Sequence, residues 1–353
     1  MNRYWTLAGV PSTPWPTEAT YVVAEAAMPV PGPNQALTRT IYVSLDPYQW
    51  GYQRRVAVAV GDPCHARTVS QVVASNIDGI VPGEFVFGTN GWAEYGLMGE
   101  GVARPAYMIP RKLDPAQGKI SNALDVLGML GLTAYAGLML QCAPQAGETV
   151  VVSAASGGVG QIVGQLAKLA GCRVVGIAGR DAKCRYVVDE LGFDACVSHL
   201  SPTFAADLKS ACPAGIDVYF ENVGGAHLDA ALPRMNVHGR IPVCGMISTY
   251  NGGGEGVTGL FNMIYKRIRM EGFVASDFPH LQAQFVEDMT GWLKAGQVKY
   301  QETILDGFER APEVDHDAPP LVRGAVVAPC AQVRVGLSHR SPFVLREAPL
   351  QPP

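Results

Sequence analysis

A chain of 353 residues is long enough for two or three domains and can bury enough surface to fold without disulfide or metal staples. Charged residues make up only 16% against a usual ~25%, hydrophobic residues reach 48%, and glycine (40) and proline (26) are both enriched. That composition excludes a disordered or fibrous chain, and a formal net charge of −4 excludes a broad basic nucleic-acid footprint.

The N-terminal run M-N-R-Y-W-T-L-A-G-V has no apolar core of a secretory signal, which implies a cytoplasmic protein. The eight cysteines show no C-x-x-C and no regular spacing, and they read as buried or free thiols of a reducing compartment. From residue 20 to 120 the pattern is β-rich, with β-branched runs at Val22-Val23, Leu37 to Val43, Thr68 to Ala74 and Glu84 to Gly88. Residues 123–140 approach membrane-span length, but Asp125, Thr133 and three glycines inside them predict a buried core helix instead.

A different rhythm follows. Strands are predicted at Glu148 to Ser153, Arg173 to Ala178, Ala195 to Val197, Ile216 to Glu221, Arg240 to Cys244 and Met270 to Val274. Helices fall between them at 157–170, Ala182 to Leu191 and Phe204 to Ala211, with an amphipathic helix over 280–295 at the end. Alternation of this kind specifies a doubly wound parallel sheet. The implied organisation is a β-rich domain over 1–120, an α/β nucleotide-type domain over 121–295 and a return to the β-rich domain over 296–335. A proline-rich, irregular extension over 336–353 completes the chain.

The strongest local signal is T-V-V-V-S-A-A-S-G-G-V-G at 149–160, where a β-branched strand runs into A-x-x-G-x-x-G (Ala154, Gly157, Gly160) and opens a helix. Glycine there lets the backbone approach a pyrophosphate, and the free N–H groups and positive dipole end of the helix face it. The next strand ends at Gly179, followed by Arg180, Asp181 and Lys183. An acid at the strand end would bind the ribose of NAD. Here Gly179 leaves room, Arg180 and Lys183 supply positive charge for a 2′-phosphate, and Asp181 reads as the N-cap of the following helix, so NADP is favoured.

The motifs S-L-D-P-Y (44–48), G-L-T-A-Y (131–135), A-A-S-G-G-V-G (154–160), G-C-R-V-V-G-I-A-G (171–179), K-C-R-Y (183–186), L-G-F-D-A-C (191–196), I-D-V-Y-F-E-N-V-G-G (216–225) and R-I-P-V-C-G-M-I-S-T-Y-N (240–251) occur in order. With them the chain resembles the zinc-independent medium-chain dehydrogenase/reductases, specifically the NADPH-dependent alkenal/enone double-bond reductases, from about residue 4 to 313. The resemblance implies a Rossmann domain inserted in a GroES-like domain, a homodimer, and metal-free reduction of the C=C bond of an α,β-unsaturated aldehyde or ketone. An NADP-dependent alcohol (carbinol) dehydrogenase and a non-catalytic NADPH-binding protein are the alternatives on the same scaffold.

Carried over residue by residue, the resemblance implies that Lys183 holds the 2′-phosphate beside Gly179, Arg180 and His199. Ser156, Gly157, Gly158, Val159 and Gly160 face the pyrophosphate. Thr133, Asn222, the run Cys244, Gly245, Met246, Ile247, Ser248, Thr249 and Tyr250, and the run Phe273, Val274 and Ala275 line the nicotinamide and its ribose. Tyr48 and Tyr250 face the substrate, with the Tyr250 phenol donating to the enolate oxygen. The chain departs from the family at His199 (usually Tyr), at Gln49-Trp50 (usually Met-Arg), and in lacking an Asn-x-Gly-Lys between Gly324 and Gln332. No metal set is expected: Cys64-His65 lacks the context of a catalytic zinc site and reads as surface loop, and His227 and His238 read as packing or surface residues. No nucleic-acid or membrane partner is implied.

Overall fold

In the computed structural model the described residues are 1–10, 15–55, 60–103, 109–250 and 256–312, with the backbone of 326–329. The α/β unit is built on β8 (Thr149–Val152), β9 (Arg173–Ala178), β10 (Ala195–Ser198), β11 (Ile216–Phe220), β12 (Met235–Val243) and β13 (Arg269–Gly272). The remaining strands are β1 (Asn2–Leu7), β2 (Tyr21–Ala26), β3 (Gln35–Leu45), β4 (Thr68–Ser75), β5 (Phe85–Gly88), β6 (Tyr95–Gly99), β7 (Arg111–Lys112), β14 (Thr303–Ile304) and β15 (Val326–Pro329). The helices are α1 (Pro47–Arg55), α2 (Met129–Tyr135), α3 (Gly158–Leu169), α4 (Asp181–Arg185), α5 (Phe204–Ala211), α6 (Ala226–Ala231), α7 (Asn262–Lys266) and α8 (Gln282–Lys294).

Strands β8 to β13 form a six-stranded sheet in the order β10-β9-β8-β11-β12-β13, with every pairing parallel. Counted from β8 this is the order 3-2-1-4-5-6 of a dinucleotide-binding sheet. Its continuous Val and Ile runs follow from burial on both faces: all four residues of β8 and five of the six of β9 are buried. The order reverses between β8 and β11, and a ligand crevice is expected outside the carboxyl ends of those two strands.

The other large sheet runs β14-β15-β3-β4-β5-β7, with β6 also paired to β3. Chain segments from before and after the parallel sheet therefore share one sheet, because β15 pairs antiparallel with β3 and parallel with β14. The expected irregular extension over 336–353 lies outside the described residues.

Three local expectations are corrected. The single helix over 123–140 is broken: a 3-10 turn at Ile120–Leu124 gives way to a reversal at 125–128 before α2 starts. A Cβ at Gly128 would lie 2.2 Å from the Ala123 carbonyl oxygen, so the chain turns where only glycine fits. Beyond α2 the helix widens into a π-helix over Ala136–Cys142. No helix among the described residues is long and apolar enough to cross a membrane. Within the β-rich region the strands are interrupted by α1, which begins on Pro47, a residue suited to the first helical position. Finally, Cys184 and Cys196 form a disulfide, against the expectation of free thiols throughout, whereas Cys64, Cys142, Cys172, Cys212 and Cys244 are free.

Candidate active site

The crevice begins at the turn from β8 into α3. Ala154 takes a left-handed conformation (φ 49°), and its carbonyl accepts from the Gly157 N–H at 2.8 Å. Gly160 packs so closely that a Cβ there would lie 2.3 Å from the Ala154 oxygen and 2.9 Å from Ala155 Cα. Gly157 is the N-cap of the 12-residue α3, and no side chain caps the helix. The Gly158, Val159 and Gly160 N–H groups therefore face the crevice with the positive end of the helix dipole, beside the buried Ser156. This cradle fits a pyrophosphate.

At the far end of β9, Gly179, Lys183 and His199 converge. His199 Nε2 lies 3.1 Å from where a Gly179 Cβ would stand, and the Ser198 hydroxyl donates to the Gly179 carbonyl at 2.8 Å. Desolvation and then the Lys183 ammonium lower the His199 pKa, so the imidazole is neutral near pH 7. The His227 ring packs 4.7 Å from the His199 ring, and its pKa is pushed down to about 4 by burial and by His199. Arg180, not Asp181, is the N-cap of α4; Asp181 is the first helical residue, where its charge still suits the dipole. A phosphate placed here meets a glycine that leaves space, a lysine and an arginine, and no acid at the strand end.

On the other side of the crevice Glu221 follows directly on β11, a carboxylate to which no role is assigned from the sequence. It is fully buried, accepting from the Ser153 hydroxyl at 2.9 Å and the Val223 N–H at 2.7 Å. Burial raises its pKa, opposed by these donors. Asn222 is equally committed: its amide donates to the Ser153 carbonyl at 2.7 Å and accepts from the Cys244 thiol at 2.9 Å. The Cys244 pKa is pushed up to about 12 by burial and by Glu221, so it is a thiol donor and not a nucleophile. These contacts brace the turn after β11 against the turn after β12. The signal in the sequence is an acid directly after a largely apolar strand, V-Y-F-E.

Cys244, Gly245, Met246, Tyr250, Phe273 and Val274 line one open cleft of about 490 Å³, together with Val243, Gly272 and Asp277. Burial raises the Tyr250 pKa, opposed by the Met246 N–H, so the phenol stays protonated. Arg54 of α1 donates to the Tyr250 carbonyl at 2.6 Å, a link between the two sheets' elements that the sequence did not reveal. Ile247, Ser248 and Thr249 form an exposed turn beside the cleft rather than its wall, with Ser248 donating to the Val223 carbonyl at 2.6 Å. Ala275 starts the turn after Val274. Thr133 is buried in α2, its hydroxyl donating to the Met129 carbonyl at 2.7 Å.

Tyr48 sits in the first turn of α1, outside the cleft lining, with its hydroxyl shielded from solvent. It lies close enough to Arg67 to interact with the guanidinium, which is itself buried and paired with Asp46 at 2.5 Å. Its ring is edge-on to His65 at 6.4 Å, and Tyr52 stacks on the same imidazole at 4.3 Å. Cys64 and His65 are thus buried packing residues and not surface loop. No three His, Cys, Asp or Glu side chains gather as a metal site among the described residues. The region expected to close the site, 324–332, lies outside the described residues apart from the backbone of 326–329. A larger cavity of about 710 Å³, between the 111–127 segment and the start of α8, contains none of the expected site residues.

Two family models match, one described as the N-terminal domain of oxidoreductase over residues 3–103 and one as zinc-binding dehydrogenase over 158–293. The chain is 42% identical over 325 residues to an NADPH-dependent curcumin reductase of Escherichia coli, covering 88% of this chain and 92% of that protein. It is 42% identical over 289 residues to an NADP(+)-dependent 2-alkenal reductase of Nicotiana tabacum, covering 80% and 82%. The solved structure of CurA from Vibrio vulnificus in complex with NADPH superposes with a TM-score of 0.83 at 37% identity, covering 94% of this chain and all of that one.

Proposed function

The chain belongs to the NADPH-dependent double-bond reductases of the medium-chain dehydrogenase/reductase family, and we propose that it reduces the C=C bond of α,β-unsaturated aldehydes or ketones without a metal. The observation that carries this reading is the open cleft bearing a protonated Tyr250 at the carboxyl end of the parallel sheet, next to a cradle that fits NADPH. Bound NADPH supplies a hydride for the substrate β-carbon.

The chain's own groups divide the remaining work. The α3 N-terminus, with Ser156, Gly157, Gly158, Val159 and Gly160, receives the pyrophosphate, while Lys183, Arg180, Gly179 and His199 hold the 2′-phosphate. Asn222 and Glu221 hold the two adjoining turns in register, so that Cys244–Tyr250 and Phe273–Ala275 flank the nicotinamide end. Addition of hydride to an enone leaves negative charge on the carbonyl oxygen. The Tyr250 hydroxyl, still protonated at neutral pH, donates a hydrogen bond there. Tyr48, expected to face the substrate, lies outside the cleft with its hydroxyl buried near Arg67, and its role is to position α1, whose Arg54 holds the Tyr250 carbonyl.

We extend the reading to the assembly and its setting. The protein is a homodimer: β13 leaves one edge of the parallel sheet open, and α7, which leads into it, exposes Ile264 and Tyr265 at 68% and 65%. Its working unit is the α/β domain of residues 121–295 inserted in the β-rich remainder, in keeping with β15 joining β3. A cytoplasmic location accords with the five free thiols among the described residues. The decisive experiment is NADPH oxidation over a panel of enals, enones and quinones with product identification. A saturated carbonyl product supports the assignment; an enone formed only from a carbinol with NADP⁺ would replace it with an alcohol dehydrogenase.

A further inference from the structure

Of the eight cysteines, Cys64, Cys142, Cys172 and Cys212 are buried, and burial pushes the Cys142 thiol up to about 12 and the Cys212 thiol to about 11. Such thiols are inert packing groups. Cys184 and Cys196 differ: both are half-buried, and they are bridged with their Cα atoms 5.2 Å apart. The bridge joins two elements that meet at the 2′-phosphate end of the crevice. Cys184 is next to Lys183 on α4, and Cys196 lies on β10 three residues before His199. We propose that Cys184–Cys196 is a reversible thiol–disulfide modification site that sets how firmly the chain holds NADPH. The inference rests on the assignment of Lys183 and His199 to the 2′-phosphate.

The reason lies in how weakly α4 is otherwise held. It is a single turn of five residues, and none of them is buried. Its firm anchorage begins after it, where Tyr186 donates to the Gln161 side chain at 3.0 Å and Val187 is buried in the wider π-turn. Lys183 thus projects from a segment that core packing does not fix, while His199 extends from a strand hydrogen-bonded into the sheet through Ala178. A bridge from the adjacent Cys184 to Cys196 restrains the lysine relative to the imidazole in the observed arrangement. Restraint of a binding group in its bound geometry raises affinity by lowering the ordering cost of binding. Reduction releases α4, and that cost returns.

The oxidation is balanced with a hydroperoxide as co-reactant. One thiolate attacks the peroxide oxygen, and a proton transfer completes release of an alcohol, or of water from hydrogen peroxide, leaving a sulfenic acid. The other thiol attacks that sulfur, forming the S–S bond and releasing water. Two thiols are oxidised by two electrons and the peroxide is reduced by two; a dithiol reverses the bridge. Lys183 and Arg185 flank Cys184, the cationic surroundings in which thiols react. Linkage is reciprocal: whatever factor the bridge adds to NADPH affinity, bound NADPH adds to the stability of the bridge.

The full-length protein, treated with hydrogen peroxide or with dithiothreitol, tests this. After denaturation the reduced chain presents eight thiols and the oxidised chain six, with Cys184 and Cys196 recovered in one linked peptide. NADPH titration gives a dissociation constant about five- to tenfold lower for the bridged form, the low end of couplings between sites. Cys184→Ser and Cys196→Ser each bind at the reduced-form affinity after either treatment, and NADH affinity is the same in all forms. A thiol count that stays at eight, a different linked pair, or NADPH affinities within twofold of each other would overturn the proposal. If neither form prefers NADPH to NADH, the 2′-phosphate assignment fails as well, which separates the two conclusions.

Discussion

Replacing Gly160 by alanine tests the cradle where its geometry is tightest. The added Cβ meets the Ala154 carbonyl oxygen at 2.3 Å and the Ala154 carbonyl carbon and Ala155 Cα at 2.9 Å each. All three are backbone atoms of the turn, so no side chain can swing aside and the start of α3 must move. Crowding of this kind costs about 1–3 kcal/mol, and three contacts under 3.0 Å place it toward the upper end. Alanine recovers about 0.5–1 kcal/mol of helix propensity, for a net loss of about 1–2 kcal/mol. Gly291, within α8 and with open space around its Cβ position, supplies the control: there the same change stabilises by about 0.5–1 kcal/mol. Thermal melts should fall by about 2–4 °C per kcal/mol for Gly160→Ala and rise slightly for Gly291→Ala. NADPH affinity, measured by fluorescence titration, should drop on the order of tenfold only in the first, because the shifted N–H groups are those that face the phosphates. A Gly160→Ala protein that melts and binds NADPH as the parent does would refute both the close packing and its link to the cofactor.

Lys183→Ala should raise the NADPH Michaelis constant tenfold or more, since a charge-assisted phosphate contact contributes ~1.5–3 kcal/mol, and should leave NADH activity nearly unchanged; equal losses with both cofactors would sink the assignment. Tyr250→Phe should lower enone turnover about 10- to 100-fold with NADPH binding intact, whereas Tyr48→Phe should mainly raise the substrate Michaelis constant. His65, its pKa pushed down to about 4 by burial and by Arg67, is neutral in the fold, so its contribution is complete above about 6.5 and is lost as pH falls toward 4. That loss reaches at most about 3 kcal/mol, and denaturant titrations of His65→Asn should show a shallower fall in stability between pH 7 and 5 than the parent. Exhaustive chelation should leave activity and folding unaltered; stoichiometric zinc lost together with activity would overturn the metal-free reading.

The parallel sheet was readable because its information is local. A strand buried on both faces must be apolar along its length, and the Val-rich β8 and β9 carry that in a handful of residues. The glycine turn was equally plain, since backbone approach to a phosphate tolerates few alternatives at Gly157 and Gly160. Predicted helices fared differently according to what sets their ends. The expected helix over 280–295 is α8, close to its predicted ends, because its amphipathic stripe alone positions it. The helix expected over 123–140 is cut at Gly128, where the limiting atom is the Ala123 carbonyl oxygen five residues back, a contact that hydropathy cannot show.

The site divides along the same line. The groups assigned to the cofactor, Gly179, Lys183 and the α3 N-terminus, follow one another in the chain at distances the strand–turn–helix unit fixes. Groups that hold those in place do not. Glu221 reaches Ser153 across 68 residues of sequence, Arg54 reaches Tyr250 across 196, and Cys184 finds Cys196 only because α4 packs beside β10. Each is a polar or reactive side chain placed by the sheet order rather than by its neighbours in sequence, and each is inexpensive to substitute until the fold brings its partner near. A buried Glu221 with no donors would be costly, whereas Ser153 and the Val223 N–H convert it into the brace between two loops. The residues proposed to contact the cofactor are therefore the ones a sequence can point to, and those that brace the turns around them become visible only with the strand order β8-β11-β12 in hand.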